Sequence, residues 1–327
     1  MRRREFITGL GGAVAWPAAA RAQEGERVRR VGVLTFGTDT EPLTTLTTKL
    51  LLEELQKFGW IDGRNLRLDF RYGFGDATKT RVFAADLVQL APDVIVASYG
   101  VALGAVLQQT KTIPIVFIGA GDPVEGGTVR NPAHPEGNAT GFANAFGSLG
   151  GKWLQLLKEA APNVTRVLHL YPAAAINPGG SFLRSVEVAA QSMQVQVIAI
   201  PVSDANSVQA AIEAFAAEPN GSLLPNPGLF AVRPDELVGL AAEYRLPTIS
   251  GVRFAALGGL LGYGSDIPEL CHGAAIYVGR LLGGAKISDL PVQYPTKFRL
   301  VVNLKTAKAL GLEVPTTLLA RADEVIE

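Results

Sequence analysis

Short apolar runs alternate with segments of helical periodicity along most of this chain. The runs VGVLTF (31–36), DVIVAS (93–98) and IPIVFIG (113–119) have the length of buried strands. Within residues 44–58, one helical face carries Leu46, Leu50, Leu51, Leu55 and Phe58. Alternation of strands with helices is typical of βαβ units, whose strands form a parallel sheet covered by helices. The first part of the chain is therefore predicted to be a doubly wound α/β lobe.

A second series of the same kind begins after a loop rich in glycine, proline and asparagine at residues 121–141. The chain has 327 residues, which is more than one core usually holds and suits two domains. A later helix and strand, at 267–282 and 298–303, are too short for a third domain and should complete the other two. The predicted lobes are an N-terminal lobe of residues 28–143 and 266–291 and a C-terminal lobe of residues 144–265 and 292–327.

A chain that returns to both lobes in this way crosses between them more than once. Several parallel crossovers form a hinge, and a hinge suits closure of two lobes around a ligand.

The first 22 residues have the composition of an export signal. A basic start precedes an apolar stretch rich in glycine and alanine, and Ala20-Arg21-Ala22 has the A-x-A form of a cleavage site. The segment RREFI at 3–7 resembles the core of a twin-arginine signal. We expect cleavage after Ala22 and a periplasmic protein, exported by the twin-arginine or the general secretory route.

Composition and motifs argue against several classes of protein. Lysine and arginine total 30, aspartate and glutamate also total 30, and no basic stripe with aromatic residues is present, which disfavours a nucleic-acid partner. The motifs G-x-S-x-G, H-E-x-x-H, Walker A and Cys-x-x-Cys are missing, so we predict no catalytic residues, no metal and no cofactor. Cys271 and His169 lie in apolar patterns and are expected to be packed in the core.

Small and polar residues stand at the carboxyl ends of the predicted strands. Open parallel sheets bind ligands at this edge, because strand ends and helix N-termini meet there. The same residue types are favoured in turns, so turn formation or capping stays the alternative for each of them. The predicted ligand-binding residues are Gly37, Thr38, Ser98, Tyr99, Gly100, Asp122, Tyr171, Asn177, Asn226, Gly251, Tyr263 and Asp266.

The chemistry of these residues indicates what some of them would bind. The turn of residues 98–100 precedes a predicted helix, whose free N–H groups and positive dipole end suit a carboxylate. Asp122 suits an ammonium group. Tyr99, Tyr171 and Tyr263 suit an aromatic or apolar body.

Five segments of the chain resemble one family of bacterial proteins. They are GDPVEGG (121–127), GNATGF (137–142), LLKEAAPNVTRV (156–167), GGLLGYGSD (258–266) and the stretch from PTKFRLVVN to the C-terminus (295–327). In these segments the sequence is similar to ABC-transporter substrate-binding proteins of the tryptophan-import type, and the resemblance extends over essentially the whole chain after the export signal.

The resemblance implies the type I periplasmic-binding-protein fold, in which two doubly wound α/β lobes are joined by three crossovers and hold a ligand between them. In this chain the crossovers are then expected near residues 141–146, 264–267 and 290–295. It also implies a monomeric receptor that catalyses nothing, binds an amino acid or an aromatic or carboxylate compound, and delivers it to an ABC permease. Within the family's motifs, Asp122, Tyr263 and Asp266 are implied as cleft or crossover positions. The turn SYG (98–100) departs from the Thr-Pro-Ala type of turn, and Asn226 stands where Asp is common.

Two alternatives come from other classes of protein. An exported α/β enzyme acting on a small carboxylate substrate would need a base and a nucleophile close together. The sensor domain of a sugar-repressor-like regulator would need a helix-turn-helix before Val28, where the export signal stands. The sequence leaves the ligand open between an aromatic amino acid, a branched amino acid and an aromatic acid.

Overall fold

The computed structural model describes residues 27–144, 146–173, 180–232 and 234–327, so the predicted export signal and Asn177 lie outside the described residues. The N-terminal lobe contains a parallel sheet and the helices that connect its strands. Its strands are β1 (Arg29–Thr35), β2 (Leu66–Tyr72), β3 (Val94–Ser98), β4 (Ile115–Ala120) and β5 (Ala139–Ala143). The connecting helices are α1 (Pro42–Lys57), α2 (Ala77–Gln89) and α3 (Tyr99–Gln109).

The strands of this sheet lie in the order β2-β1-β3-β4-β5. Strands β3 and β4 are buried along their whole length, because α2 and α3 cover one face of the sheet and α1 covers the other. A strand covered on both faces is a continuous apolar run rather than an alternating one. The long helix α10 (Ile267–Leu282) also packs on the α1 face, so the chain returns to this lobe late in the sequence.

The C-terminal lobe has a longer sheet with one antiparallel pair of strands. Its strands are β6 (Arg166–Pro172), β7 (Gln196–Val202), β8 (Gly221–Leu223), β9 (Ile249–Ser250), β10 (Leu261–Ser265), β11 (Phe298–Asn303) and β12 (Glu324–Ile326). Its helices are α4 (Phe146–Ala160), α5 (Gly180–Met193), α6 (Ala205–Ala216), α7 (Pro227–Val232), α8 (Pro234–Glu243), α9 (Arg253–Ala256), α11 (Leu304–Leu310) and α12 (Thr316–Leu319).

The sheet of the C-terminal lobe is assembled from two groups of strands. One group has the order β7-β6-β8 and the other the order β9-β10-β11-β12. A bridge between Leu223 and Thr248 connects the two groups, and β11 runs antiparallel to β10. The observed architecture is therefore the predicted α/β fold of two lobes, each built on a mainly parallel sheet.

Aromatic side chains fill the space between α4, α5 and β6. Trp153 is fully buried and meets the ring of Phe182 edge to face at 5.2 Å between centroids. Phe182 stacks on His169, whose Nδ1 lies 2.8 Å from the carbonyl oxygen of Leu224. Burial lowers the pKa of His169. The expectation that His169 is a packed residue is confirmed.

The buried thiol also agrees with expectation. Cys271 lies on α10, is fully buried, and has its Sγ 3.9 Å from the carbonyl oxygen of Thr47 on α1. Burial raises the pKa of this thiol to about 12, so it stays protonated at neutral pH. Cys271 is therefore a packing residue between two helices of the N-terminal lobe.

The chain passes between the lobes three times, after β5, between β10 and α10, and before β11. The Ala143 N–H donates to the carbonyl of Gln293 at 2.8 Å, and the Gln293 N–H donates to the carbonyl of Gly141 at 2.9 Å. The Asp266 N–H donates to the carbonyl of Lys297 at 3.1 Å. These bonds hold the crossovers side by side as one hinge, while the exact residue boundaries of the lobes stay a prediction.

Strand β5 corrects the sequence prediction. The segment before the first crossover is predicted as a loop up to residue 141, whereas residues 139–143 form the edge strand of the N-terminal sheet.

Among the described residues, none of the helices combines the length and the apolar character needed to cross a membrane. The described part of the chain also holds no cluster of histidine, cysteine and acidic side chains arranged for a metal ion.

Candidate functional site

The carboxyl ends of β1, β3 and β4 meet at one edge of the N-terminal sheet. Thr35 pairs with Ser98, and Ser98 pairs with Ile118, so the loops that follow these strands are neighbours. The strand order changes direction between β1 and β3, which is the usual place for a ligand in an open α/β sheet. At this edge lie the predicted residues Gly37, Thr38, Ser98, Tyr99, Gly100 and Asp122.

A carboxylate that the sequence pattern did not single out lies over the loop after β1. The Glu41 N–H donates to Thr38 Oγ1 at 3.0 Å, and Glu41 Oε2 accepts a hydrogen bond from Thr44 Oγ1 at 3.2 Å. The Glu41 carboxylate is so close to the α-carbon of Gly37 that a methyl group there would collide with it. Gly37 is therefore needed for the position of Glu41.

Tyr99 begins α3 in an uncommon backbone conformation. Its φ angle is +70°, in a region that costs a non-glycine residue roughly 1 to 3 kcal/mol. Its ring packs over Gly119, where a Cβ atom would lie 3.6 Å from Tyr99 Cε1. Burial raises the pKa of the Tyr99 phenol, the Glu41 carboxylate raises it further, and the Arg253 guanidinium opposes both. Glu41 and Arg253 therefore lie within electrostatic reach of Tyr99.

Asp122 and Asn226 form turns with their own side chains. Asp122 Oδ1 accepts hydrogen bonds from the N–H groups of Val124 at 2.8 Å and Glu125 at 3.2 Å. Asn226 Oδ1 accepts one from the N–H of Gly228 at 2.9 Å. This is the turn chemistry that the sequence left open as an alternative, and the ligand role of both residues stays a prediction.

Two further predicted residues lie at strand ends of the C-terminal lobe. Tyr171, in β6, is half-buried and stacks on His169 with 6.1 Å between ring centroids. Gly251 follows β9, and apart from its chain neighbours no heavy atom lies within 4 Å of the place where its side chain would stand. Open space therefore borders the end of β9.

Tyr263 and Asp266 lie in different surroundings from the residues above. Tyr263 stacks on Phe298 at 5.7 Å between ring centroids and packs against the main hydrophobic cluster of the C-terminal lobe. Asp266 lies in the second crossover, directly before α10. Its Oδ1 is buried, and among the described residues it has no hydrogen-bond partner. The structure thus places Tyr263 against the core and Asp266 in the hinge.

Polar contacts join the two lobes across the cleft. Arg253, at the start of α9, donates from Nη1 to Glu41 Oε1 at 3.2 Å. Glu125 accepts hydrogen bonds from the Ser181 N–H at 2.8 Å, from Ser181 Oγ at 2.5 Å and from Arg184 Nη2 at 3.3 Å. The contacts of Glu125 with Ser181 and Arg184 are termed the Glu125 bridge.

A groove of about 560 Å³ also separates the lobes. Gly75 lines it on the side of the N-terminal lobe, and Pro172, Asp204, Asp235 and Glu236 are among its residues on the other side. Its volume lies in the range of small-molecule sites. None of the predicted ligand-binding residues is among its described lining, so sequence reasoning missed this part of the cleft.

Three solved structures share this fold. A conserved domain protein from Vibrio cholerae has a TM-score of 0.81 and 26% sequence identity, covering 91% of this chain and 100% of that chain. An ABC domain from Streptococcus pneumoniae in complex with L-Trp has a TM-score of 0.81 and 22% identity, covering 91% and 99%. The ligand-free, open structure of a substrate-binding protein from Clostridium difficile has a TM-score of 0.68 and 23% identity, covering 91% and 99%. The fold is therefore that of the type I periplasmic binding proteins.

Sequence comparison gives the family. A tyrosine-binding protein from Clostridioides difficile is 25% identical over 266 residues, which are 81% of this chain and 76% of that protein. The family model described as ABC transporter substrate binding protein matches residues 41–326. Since that match spans most of the sequence and both lobes, the chain belongs to the family of ABC transporter substrate-binding proteins.

Proposed function

We propose that this protein is the exported receptor of an ABC importer, which captures a small solute between its lobes and delivers it to a membrane permease. The observation that carries the proposal is the set of polar contacts made across the cleft by Glu41 and Glu125, in a molecule hinged by three crossovers. Such a receptor works by closing, and a ligand shifts that equilibrium only if it binds the closed state more tightly.

An aromatic amino acid is the proposed ligand. One relative is named a tyrosine-binding protein, and one structural neighbour is in complex with L-Trp. The predicted residues offer matching chemistry: Asp122 for the ammonium group, the turn at 98–100 for the carboxylate, and Tyr171 for the aromatic ring. All twelve predicted residues stay part of the proposed site, and Glu41 is added to them.

We propose that the lobes are in the closed arrangement, because Glu41 and Glu125 make contacts across the cleft. The TM-score is 0.81 with the L-Trp complex but 0.68 with the ligand-free, open structure, although the two neighbours are almost equally distant in sequence. This difference between the two TM-scores is in the direction expected when the contacts between the lobes are made.

We further propose that residues 1–22 direct export to the periplasm, by the twin-arginine or the general secretory route, and that the receptor acts as a monomer.

Ligand binding is expected to stabilise the protein and to reduce its radius of gyration. A ligand present at about 100 times its dissociation constant should add roughly 2.7 kcal/mol to the free energy of unfolding. A thermal-shift screen against amino acids and small aromatic acids would identify it, and small-angle X-ray scattering would report closure. The proposal would be contradicted if L-tryptophan, L-tyrosine and the other amino acids left the melting temperature unchanged.

Removal of the Glu125 bridge is expected to weaken ligand binding. Glu125→Ala loses charge-assisted hydrogen bonds that exist only while the lobes are together, so closure becomes less favourable by on the order of 1 to 2 kcal/mol. This free-energy change corresponds to a rise of the dissociation constant by about 5- to 30-fold. Calorimetry would measure it, with Glu136→Ala, an exposed carboxylate of the same loop, as the matched control. Equal affinities of the two variants would contradict a role in closure.

The Glu125 bridge also predicts a pH dependence. Hydrogen bonds from Ser181 lower the pKa of Glu125 in this arrangement of the lobes. A carboxyl group whose pKa is lowered on closure favours closure fully above its ordinary pKa of about 4.3, and the effect is lost as the pH falls through the lowered value. The affinity of the wild type should therefore fall below about pH 4, and that of Glu125→Ala should fall less.

A further inference from the structure

Arg253 has hydrogen-bonding capacity that the described residues do not use. Its Nη1 donates to Glu41 Oε1 at 3.2 Å, and among the described residues this is the one side-chain hydrogen bond of Arg253. A guanidinium group carries five N–H donors in a planar fork. One edge of the guanidinium is therefore available to another acceptor.

The ion pair with Glu41 is too weak to be the main reason for an arginine here. The two side chains are 26% and 32% exposed, and a single contact between partly exposed charges contributes little to stability. Glu41 is also shared, because its other oxygen accepts a hydrogen bond from Thr44. A carboxylate that meets the fork of a guanidinium with both oxygens makes shorter and stronger bonds.

The surroundings of Arg253 favour negative charge. Gly251, two residues earlier, borders open space on the side where a side chain would stand. The first turn of α3 belongs to the opposite lobe and begins at Tyr99, whose phenol is within electrostatic reach of Arg253. The positive end of a helix and a guanidinium group both attract anions, and here they come from opposite sides of the cleft.

We infer that Arg253 binds the carboxylate group of the transported solute through the free edge of its guanidinium, while Nη1 remains on Glu41 of the opposite lobe. The inference rests on the proposed function and adds to it one residue of the C-terminal lobe that recognises the carboxylate of the solute. Arg253 would then take part both in binding the solute and in closing the lobes, because it belongs to the C-terminal lobe and its Nη1 donates to Glu41 of the N-terminal lobe.

The test compares ligands that lack either the carboxylate or the amino group of the amino acid: tryptamine and tyramine lack the carboxylate, and indole-3-propionate lacks the amino group. Binding of L-tryptophan, indole-3-propionate and tryptamine is measured by competition calorimetry for the wild type, Arg253→Gln and Arg253→Lys, and the same is done with L-tyrosine and tyramine. Arg299→Gln is the matched control, because Arg299 is a surface residue of the same lobe paired with Glu324. Arg253→Gln is expected to weaken the binding of L-tryptophan and of indole-3-propionate about 10- to 100-fold, and the binding of tryptamine less than about threefold.

Arg253→Lys separates carboxylate binding from the ion pair. Lysine keeps the positive charge and a long side chain, so a residue needed only to pair with Glu41 would be replaced with nearly wild-type affinity. Lysine lacks the planar fork, so the affinity of Arg253→Lys for the carboxylate ligands is expected to lie between the affinities of the wild type and of Arg253→Gln. The inference would be overturned if the affinities for all three indole ligands fell by the same factor, or if none of the three affinities fell.

The wild-type measurements test the proposed function separately. If the wild type binds indole-3-propionate but no amino acid, the proposed ligand class is wrong, and the Arg253 variants still test the inference with this acid. If the wild type binds the amino acids and the Arg253 variants bind them equally well, the function stands and the inference fails. If the wild type binds none of these compounds, both are overturned.

Discussion

Replacement of Gly141 by alanine is expected to destabilise the N-terminal lobe by about 2 to 5 kcal/mol. Gly141 has a φ angle of +147°, which side chains other than hydrogen rarely allow. A methyl group at this position would collide with the carbonyl oxygen of Phe117 on β4 and lie 2.5 Å from its backbone nitrogen. Both atoms belong to a buried backbone, so neither can move aside cheaply.

The same residue is part of the hinge. The carbonyl of Gly141 accepts a hydrogen bond from Gln293, so a shift of β5 would also disturb the third crossover. Urea unfolding followed by circular dichroism would measure the loss. Gly104→Ala is the matched control, since Gly104 lies inside α3 with no heavy atom near its missing side chain, and alanine there should stabilise by about 0.5 to 1 kcal/mol. Similar stabilities of the two variants would contradict the prediction.

Strands that are buried on both faces are the part of the fold that sequence patterns predict best. The runs at 31–36, 93–98 and 113–119 coincide with β1, β3 and β4, because burial on two faces leaves no polar position to interrupt the run. Strand β5, with the sequence ATGFA, lacks such a run. Its glycine is required by the close approach of β4, and the same glycine makes the segment look like the end of a loop.

The candidate site could be predicted from the sequence only as far as the sheet edge. Parallel strands bring their carboxyl ends together, so residues after β1, β3 and β4 become neighbours wherever the loops lead. The direction of a side chain in a strand is less predictable. Neighbouring residues of β10 point to opposite faces, and Tyr263 lies on the face that packs against the hydrophobic core.

Contacts across the cleft could not be predicted at all. Glu41 and Arg253 are 212 residues apart, and Glu125 and Ser181 are 56 apart. No local pattern pairs residues over such distances, because their approach depends on how the hinge sets the two lobes. The polar residues that hold the lobes together were therefore visible only in the structure.

Trp153→Ala is expected to destabilise the C-terminal lobe by about 3 to 5 kcal/mol, the range for truncation of a buried aromatic residue. Trp153 is fully buried on α4, and its ring meets Phe182 of α5 edge to face. The two helices approach so closely that a methyl group on Gly150 would collide with the backbone of Phe182. Helices fixed at this separation cannot collapse into the cavity, so the full penalty for the lost volume should remain.

Trp153→Phe separates the packing of the ring from its polar group. The indole N–H of Trp153 is buried and finds no acceptor among the described residues, and an unsatisfied buried donor costs about 1 to 3 kcal/mol. Phenylalanine keeps an aromatic ring against Phe182 and removes that donor, so its stability should stay within about 1.5 kcal/mol of the wild type. Urea unfolding monitored by near-ultraviolet circular dichroism would compare the variants. If Trp153→Phe lost as much stability as Trp153→Ala, the indole N–H would have to make a stabilising bond, and the packing argument for this position would be wrong.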